Sequence, residues 1–262
     1  MYQRFSKPDL YCARTGNLDA FVHERAISGA PAFMRGLRVL FASDTHVLPR
    51  TSDAEIDALV ARMAALAPDI ALLGGDYSDT AEGAVRLFDA LKGLRPPLGM
   101  FGVIGNNDAE AWDSARELRR AMAKAGGRLL VNQSARLRVN GGTLYIGGVD
   151  EHRYGAPHYD GLYPGAPSPD AYRVLLSHYP CKPARAPDLM LSGHTHGGQF
   201  NALGLTPFFV GFERLSRRPR SMAIAGLCDI GDMKLLVSKG IGASRLQLRV
   251  GVRPEIELLT FA

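Results

Sequence analysis

Five short segments of the chain concentrate carboxylate, amide and imidazole side chains. They are Ser43-Asp44-Thr45-His46, Gly74-Gly75-Asp76-Tyr77-Ser78-Asp79, Gly105-Asn106-Asn107-Asp108, Ser177-His178-Tyr179-Pro180 and Ser192-Gly193-His194-Thr195-His196-Gly197-Gly198-Gln199. A mixed set of these three ligand types favours manganese, iron or zinc, whereas an all-oxygen set would favour magnesium or calcium. If the five segments meet in space, they predict a site for divalent cations.

A turn or a helix cap is the competing interpretation for each segment taken alone, because Asp and Asn commonly bond to nearby backbone groups. The pair His194 and His196 is more informative, since the neighbouring glycines allow the backbone to bend while both rings point the same way. The presence of all five segments in one chain favours a common site over five unrelated turns.

Apolar runs and amphipathic stretches alternate along the chain, and they predict the strands and helices that position these side chains. Apolar runs predict strands at 38–43, 69–74, 98–104, 172–177 and 188–192, each directly before one of the five segments. Amphipathic stretches predict helices at 52–66, 81–94 and 110–124. This strand and helix order predicts a parallel sheet, in which the carboxyl ends of the strands share one edge. The five segments can therefore converge.

The second half of the chain contains more strands and few helices. Further strands are predicted at 128–131, 135–139, 143–148, 234–238, 246–250 and 255–260, and Asn140-Gly141-Gly142 predicts a hairpin. The predicted fold class is α/β, a four-layer αββα sandwich of two mixed sheets flanked by helices. Residues 1–36 are predicted to be an N-terminal extension and residues 37–262 to be one domain, with a proline-rich surface loop over 155–170.

The composition is that of a soluble globular protein, with 46% hydrophobic and 22% charged residues. The net charge of +5 predicts attraction for phosphate-bearing molecules, nucleic acid or an anionic membrane face. Three separated cysteines fit neither a disulfide framework nor a zinc ribbon, and no long apolar run is present, so we expect a cytoplasmic protein. A basic run contains Arg214, Arg217, Arg218 and Arg220; it is interpreted as a solvated loop or as a membrane-peripheral patch.

The order Asp-x-His, Gly-Asp, Gly-Asn-x-Asp, His and Gly-His-x-His resembles that of the calcineurin-like metallophosphoesterases, over about residues 37–260. The Gly-His-Thr-His-Gly-Gly-Gln block is similar to that of a bacterial branch of small phosphodiesterases, often membrane-associated. The resemblance implies two divalent metal ions and hydrolysis of a phosphodiester or pyrophosphate bond by metal-bound hydroxide. It implies that Asp44, His46 and His196 bind the first metal, that Asn106, His178 and His194 bind the second, and that Asp76 bridges them.

The chain departs from the family pattern at Asn107, where the family usually has a histidine. An amide can donate a hydrogen bond to a phosphoryl oxygen but cannot supply a proton to a leaving group. We therefore expect a preference for pyrophosphate bonds or other activated diesters over alkyl monoesters. Relatives that cleave the pyrophosphate of a nucleotide-linked acylated sugar also lack this histidine, so the expected substrate is a phosphate-containing small molecule or a lipid-linked one.

The predicted catalytic residues are Asn107, Asp76 and, as a replacement acid, His152. Asp108 and His158 are alternative acids, and Lys182 or Arg185 could contact a substrate phosphate. For the residues in loops, a solvated position with no special role is the competing interpretation.

Two other functions compete with the hydrolase. A binding or scaffold module that has lost catalysis is favoured by Asn107, but the retention of all seven expected ligands favours an enzyme. A nuclease would agree with the basic charge, although no basic stripe interleaved with aromatic residues is present. The sequence gives no reason to infer an obligate protein partner.

Overall fold

Two mixed six-stranded sheets pack face to face in the computed structural model, which describes residues 12–14, 18, 20–164, 168–201, 221–244 and 247–262. In spatial order, sheet I contains β2 (Phe21–Ile27), β14 (Glu255–Phe261), β3 (Arg38–Ala42), β4 (Ile70–Leu73), β5 (Met100–Gly102) and β6 (Gly127–Leu129). Sheet II contains β11 (Gly226–Ile230), β12 (Met233–Val237), β10 (Leu189–Ser192), β9 (Ala171–Leu176), β8 (Gly142–Gly148) and β7 (Gln133–Val139). Two short strands, β1 (Cys12–Arg14) and β13 (Leu248–Val250), form a separate antiparallel pair.

The α-helices in the described ranges follow strands of sheet I along the chain. They are α1 (Asp53–Ala65), α2 (Ala81–Leu91), α3 (Asn106–Ala111) and α4 (Ala115–Lys124), and two short 3-10 turns occupy Ala32–Met34 and His196–Gly198. Ser52 begins α1 with a capping box, in which Ser52 and Glu55 each accept from the other's backbone N–H. None of these helices combines the length and the apolar character needed to span a bilayer.

Parallel pairing brings the strand ends together, as expected from the alternation of strands and helices. In sheet I, β3, β4, β5 and β6 run parallel, while β14 is antiparallel to β3. In sheet II, β8, β9, β10 and β12 run parallel, and β7 and β11 are antiparallel edge strands. The predicted α/β class with two mixed sheets flanked by helices is confirmed.

The alternation of side chains along β3 divides the core into two layers. Leu40 and Ala42 belong to the cluster that packs on α1, α2 and α4, whereas Val39 and Phe41 face sheet II. Burial of such side chains stabilises the fold by roughly 1.5–3 kcal/mol each. Among the described residues, the outer face of sheet II is covered by the segment around Leu162 and Tyr163.

The structure differs from the predicted elements in the helix expected at 110–124. That stretch forms two helices, α3 and α4, because Trp112 is extended and Ser114 starts a new helix by accepting from the Glu117 N–H. The predicted hairpin is confirmed: β7 and β8 are joined by Asn140 and Gly141, both with positive φ, as in the tight turns that suit a twisted hairpin.

Three strands were not predicted from the sequence, the first of which is β1. β11 pairs with β12 at the edge of sheet II, and β2 lies at the edge of sheet I, parallel to β14. The exposed and half-buried positions of β2 do not alternate regularly, because β2 is an edge strand with little apolar contact. Thus part of the predicted N-terminal extension contributes to the sheet, while the domain boundary at residue 37 stays a prediction.

Candidate metal centre

The five segments rich in polar ligands meet where the two sheets present the carboxyl ends of their parallel strands. The first three follow β3, β4 and β5, and the last two follow β9 and β10. Two contacts join the sheets at this edge: His178 Nδ1 donates to the Gly74 carbonyl at 2.8 Å, and the His194 N–H donates to the Asp44 carboxylate at 3.0 Å. The convergence expected from the sheet topology is therefore observed.

Five of the seven predicted ligands have a left-handed backbone conformation. The φ values are 54° at Asp44, 42° at His46, 53° at Asp76, 68° at His194 and 51° at His196. This region costs about 1–2 kcal/mol per residue for side chains other than glycine. Tertiary contacts must hold these turns, and such strain is typical of functional sites.

The side chains predicted to bind the first metal form a compact group. Nε2 of His196 lies 3.2 Å from Nε2 of His46 and 3.5 Å from Oδ1 of Asp44. All three side chains are buried, and one ligand atom from each lies within 4.8 Å of the other two. These facing donor atoms fit a single cation.

The side chains predicted to bind the second metal lie beside the first group. Oδ1 of Asn106 is 2.9 Å from Nδ1 of His194 and 3.3 Å from Nε2 of His178. Asn106 and His194 are only partly buried, whereas His178 is buried. The second group is therefore the more open side of the cluster.

Asp76 lies between the two groups. Its Oδ2 atom is 3.5 Å from Nε2 of His46 and 3.4 Å from Nε2 of His178. A single carboxylate thus faces one imidazole from each predicted metal group, which is the placement that a bridging ligand requires.

The imidazoles are oriented by partners on their other ring nitrogens. His46 Nδ1 lies 2.7 Å from Oδ1 of Asp79, and His178 Nδ1 lies 2.8 Å from the Gly74 carbonyl oxygen. Each acceptor can take the Nδ1 proton, and this arrangement directs Nε2 of both rings toward the cluster. Metal-ligating histidines usually have such outer partners. The donor set therefore fits transition-metal cations.

Opposite charges are concentrated in the cluster. Burial lowers the pKa of His178, but the Asp76 and Asp44 carboxylates outweigh this effect and raise it to about 10. Burial also raises the pKa of Asp76, yet His178 and His46 bring it below its ordinary value. The His178 imidazole and the Asp76 carboxylate thus stabilise each other's charged forms inside the cluster.

Asp108 connects the second and third segments. Its carboxylate accepts the backbone N–H groups of Asp76, Tyr77 and Gly105 at 2.8, 3.0 and 2.8 Å. Both carboxylate oxygens are used, and the side chain is fully buried. Asp108 thus holds the backbone that carries Asp76 and Asn106. Its role is structural, and its buried carboxyl group is not accessible as an acid.

Asn107 lies at the edge of the cluster. Its Nδ2 is 3.0 Å from Oδ1 of Asp79 and 3.1 Å from Nδ1 of His46, and its backbone N–H donates to Oδ1 of Asp76 at 2.8 Å. The amide is half-buried. Asn107 therefore occupies the position beside both predicted metal groups, with only hydrogen-bonding chemistry available.

His152 is connected to the cluster through Tyr179. Its Nε2 is 3.1 Å from the Tyr159 hydroxyl, and its ring packs against Tyr179, which in turn stacks on His194 with 3.7 Å between centroids. Burial lowers the pKa of His152 to about 4. The imidazole is thus neutral near pH 7 and does not supply a proton there.

The other predicted candidates have exposed side chains, unlike the buried ligands of the cluster. His158 is exposed and pairs with Asp160, and Lys182 and Arg185 are exposed on the loop after His178. The basic run that includes Arg214 and Arg217 lies outside the described residues.

Sequence reasoning missed the roles of Asp79, Tyr179 and Arg249. Asp79 lies three residues after Asp76, in a segment already rich in ligands, so its spacing was a usable signal. Tyr179 follows His178 directly, but nothing in the sequence indicates that it stacks on His194. Arg249 contacts His196 from a strand 53 residues further along the chain, a proximity that no local pattern indicates.

The fold and the cluster define an α/β protein with a buried carboxylate and imidazole centre of the kind that holds metal ions. The sequence model of the calcineurin-like phosphoesterases matches residues 37–198, more than half of the chain. The chain belongs to this family, whose members are metal-dependent hydrolases of phosphoester bonds.

Two bacterial relatives agree with this membership. The uncharacterized metallophosphoesterase YkoQ of Bacillus subtilis is 29% identical, over 95% of this chain and 93% of the relative. The phosphodiesterase YaeI of Escherichia coli is 27% identical, over 85% of this chain and 81% of the relative. A solved structure of the Thermus thermophilus sulfate thiohydrolase SoxB is 14% identical with a TM-score of 0.46. That match covers 86% of this chain but only 56% of the SoxB chain.

Proposed function

We propose that the protein is a dinuclear-metal-dependent hydrolase of a phosphodiester or pyrophosphate bond. The observation that supports this most directly is the position of Asp76 Oδ2, 3.5 Å from His46 Nε2 and 3.4 Å from His178 Nε2. Asp44, His46 and His196 would hold one cation, and Asn106, His178 and His194 the other, with Asp76 shared. Bound there, two cations would neutralise phosphoryl oxygens and provide hydroxide from water near neutral pH.

In this proposal, other groups of the protein orient the metal ligands. Asp79 and the Gly74 carbonyl fix the tautomers of His46 and His178, and Asp108 fixes the backbone of Asp76. The metals here would be manganese, iron or zinc, because the set combines carboxylate, amide and imidazole ligands.

Asn107 supports the finer proposal about the scissile bond. Its amide lies at the edge of the cluster and can donate to a phosphoryl oxygen, but it cannot protonate a leaving oxygen. His152 is neutral near pH 7 and separated from the cluster by Tyr179. A substrate whose leaving group is itself a phosphate or an activated alcohol needs no such proton, so we propose a pyrophosphate or an activated diester as the substrate.

The proposed substrate is a phosphate-bearing small molecule or a lipid-linked one, reached in the cytoplasm or at an anionic membrane face. The net charge of +5 supports attraction to such anions.

The test is hydrolysis of a chromogenic phosphodiester by purified protein with added manganese, repeated after chelation. The proposal expects turnover that chelation abolishes and manganese restores, together with two bound metal ions per chain. Metal binding without turnover on any phosphodiester or pyrophosphate would instead favour a scaffold module, and failure to bind transition metals would contradict the proposal. A parallel assay on a nucleotide pyrophosphate and an alkyl diester tests the finer proposal, which equal rates would contradict.

A further inference from the structure

Arg249 is a fully buried arginine directly behind the predicted first metal group. It lies in β13, and none of its surface is exposed. Its guanidinium donates to three backbone carbonyl oxygens: Nε to Gly242 at 2.8 Å, Nη2 to Lys239 at 2.7 Å and Nη1 to His196 at 3.4 Å. A buried guanidinium satisfied by carbonyls from two separate segments fixes those segments relative to each other.

The segment 239–242 held by Arg249 packs directly on two other predicted ligands. The Gly242 N–H donates to the Asp44 carbonyl at 2.7 Å, and the Ile241 N–H donates to the Ser43 carbonyl at 3.1 Å. A Cβ at Gly240 would lie 2.6 Å from Cβ of Asp44, and one at Gly242 would lie 2.9 Å from Cβ of His46. The segment therefore sets the left-handed turn that carries Asp44 and His46.

One guanidinium is thus connected to all three side chains of the first group. It contacts His196 itself, and through 239–242 it supports Asp44 and His46. Two members of the second group have different supports, while the third, His194, donates its backbone N–H to Asp44. His178 bonds to the Gly74 carbonyl, and the turn of Asn106 is held by Asp108. Loss of Arg249 should therefore affect the two groups unequally.

Nη2 of Arg249 also lies 3.1 Å from Nδ1 of His196. A guanidinium nitrogen only donates, so the ring nitrogen is the acceptor in this contact. The inference rests on the bonds to the three carbonyls and not on this contact.

We propose that Arg249 is a positioning residue that assembles the first metal group. This inference rests on the proposed function, because it presumes that the cluster binds two cations. The expected change in metal affinity is opposite in direction to that of a simple charge effect. A buried positive charge repels a cation, so removal of the charge alone would tighten metal binding, whereas loss of positioning would weaken it.

The experiment measures manganese binding to Arg249→Met and Arg249→Lys by calorimetry and by metal analysis, with the manganese electron paramagnetic resonance spectrum as a second readout. Arg38→Met is the matched control: Arg38 also donates to a backbone carbonyl, that of Leu66, but at the opposite end of β3. Far-UV circular dichroism and thermal unfolding check the fold of each variant.

For Arg249→Met we expect one manganese to bind as in the wild type and the other to bind about 10–100-fold more weakly, as for loss of an outer-shell partner. The spectrum should change from that of a coupled pair to that of isolated ions. Arg249→Lys, which keeps the charge and can donate to one carbonyl, should weaken the same site by a smaller factor. It keeps the test available if the methionine variant does not fold.

The inference would be overturned if the lysine and methionine variants both kept two sites with wild-type affinity. Tighter binding in Arg249→Met, or equal weakening of both sites, would also overturn it. Equal weakening in Arg38→Met would do the same, because the effect would then be one of general stability. Failure of the wild-type protein to bind two manganese ions would contradict the proposed function itself. The wild-type titration therefore separates the two failures.

Discussion

The Oδ2 atom of Asp76 lies 3.4 Å from Nε2 of His178, and both side chains are almost completely buried. The same oxygen is 3.5 Å from Nε2 of His46. This oxygen faces one imidazole of each group, so loss of the Asp76 carboxylate should affect both cations at once.

Replacement of Asp76 by Asn keeps the size of the side chain and removes its charge. We expect Asp76→Asn to lose at least about a hundredfold in phosphoesterase rate and to bind both cations more weakly, since even an outer partner of a ligand costs 10–100-fold. Asp57→Asn, an exposed position on α1, is the control and should behave like the wild type. Retention of two tightly bound metals in Asp76→Asn would contradict the bridging role.

Asn107→His should change the choice of substrate. The new imidazole would lie beside Asp79, now 3.0 Å from the Asn107 amide, and a carboxylate partner favours the protonated ring. We expect kcat/KM on an alkyl diester to rise by roughly a hundredfold, the lower range of general acid catalysis, and kcat/KM on a pyrophosphate to change much less. Asn107→Ala removes the amide donor and should lower both. A parallel change of both substrates in Asn107→His would argue against the leaving-group interpretation.

The polar segments and the order of strands allowed the cluster to be predicted from the sequence. Apolar runs placed Asp44, Asp76 and His178 directly after strands, and parallel pairing requires those strand ends to share an edge. The break between α3 and α4 was missed because the amphipathic pattern continues through Trp112. The start of α4 depends instead on the cap formed by Ser114.

Long-range contacts could not be predicted in the same way. The pairing of β2 with β14 joins residues more than 200 positions apart, and β2 has no regular apolar pattern of its own. Arg249 likewise acts on a loop and a histidine that are adjacent only in the folded chain. Local periodicity carries no information about such partners.

Metal binding should release protons, with a dependence on pH set largely by His178. The pKa of His178 in the metal-free protein is raised to about 10, and the ring must be neutral to bind a cation. Below that pKa, proton and metal compete, so each unit of falling pH should cost about tenfold in affinity through this group alone. Calorimetry in buffers of different ionisation enthalpy measures the protons released. An affinity independent of pH between about 6 and 9 would contradict the ligand role of His178.

A final prediction concerns Arg25, which attaches the edge strand β2 to the sheet. Its guanidinium donates to both oxygens of Glu257, with Nε at 2.7 Å and Nη2 at 3.0 Å, and Glu257 is completely buried. Arg25→Met would leave that carboxylate buried without this partner, so we expect the free energy of unfolding to fall by roughly 3 kcal/mol. Lys92→Met breaks an exposed pair with Asp89 and should cost no more than about 1 kcal/mol.

The loss caused by Arg25→Met should depend on pH in a definite direction. Burial raises the pKa of Glu257 above its ordinary value of 4.5, despite the opposing effect of Arg25. Removal of Arg25 raises that pKa further, so the folded variant retains a proton that the unfolded chain releases, and stability falls as pH rises above 4.5. Urea unfolding at about pH 5 and about pH 8 should therefore show the larger loss at the higher pH. The double variant Arg25→Met with Glu257→Leu, which removes the charge, should recover most of it; equal losses at both pH values, or no recovery, would show that Arg25 does not act through this carboxylate.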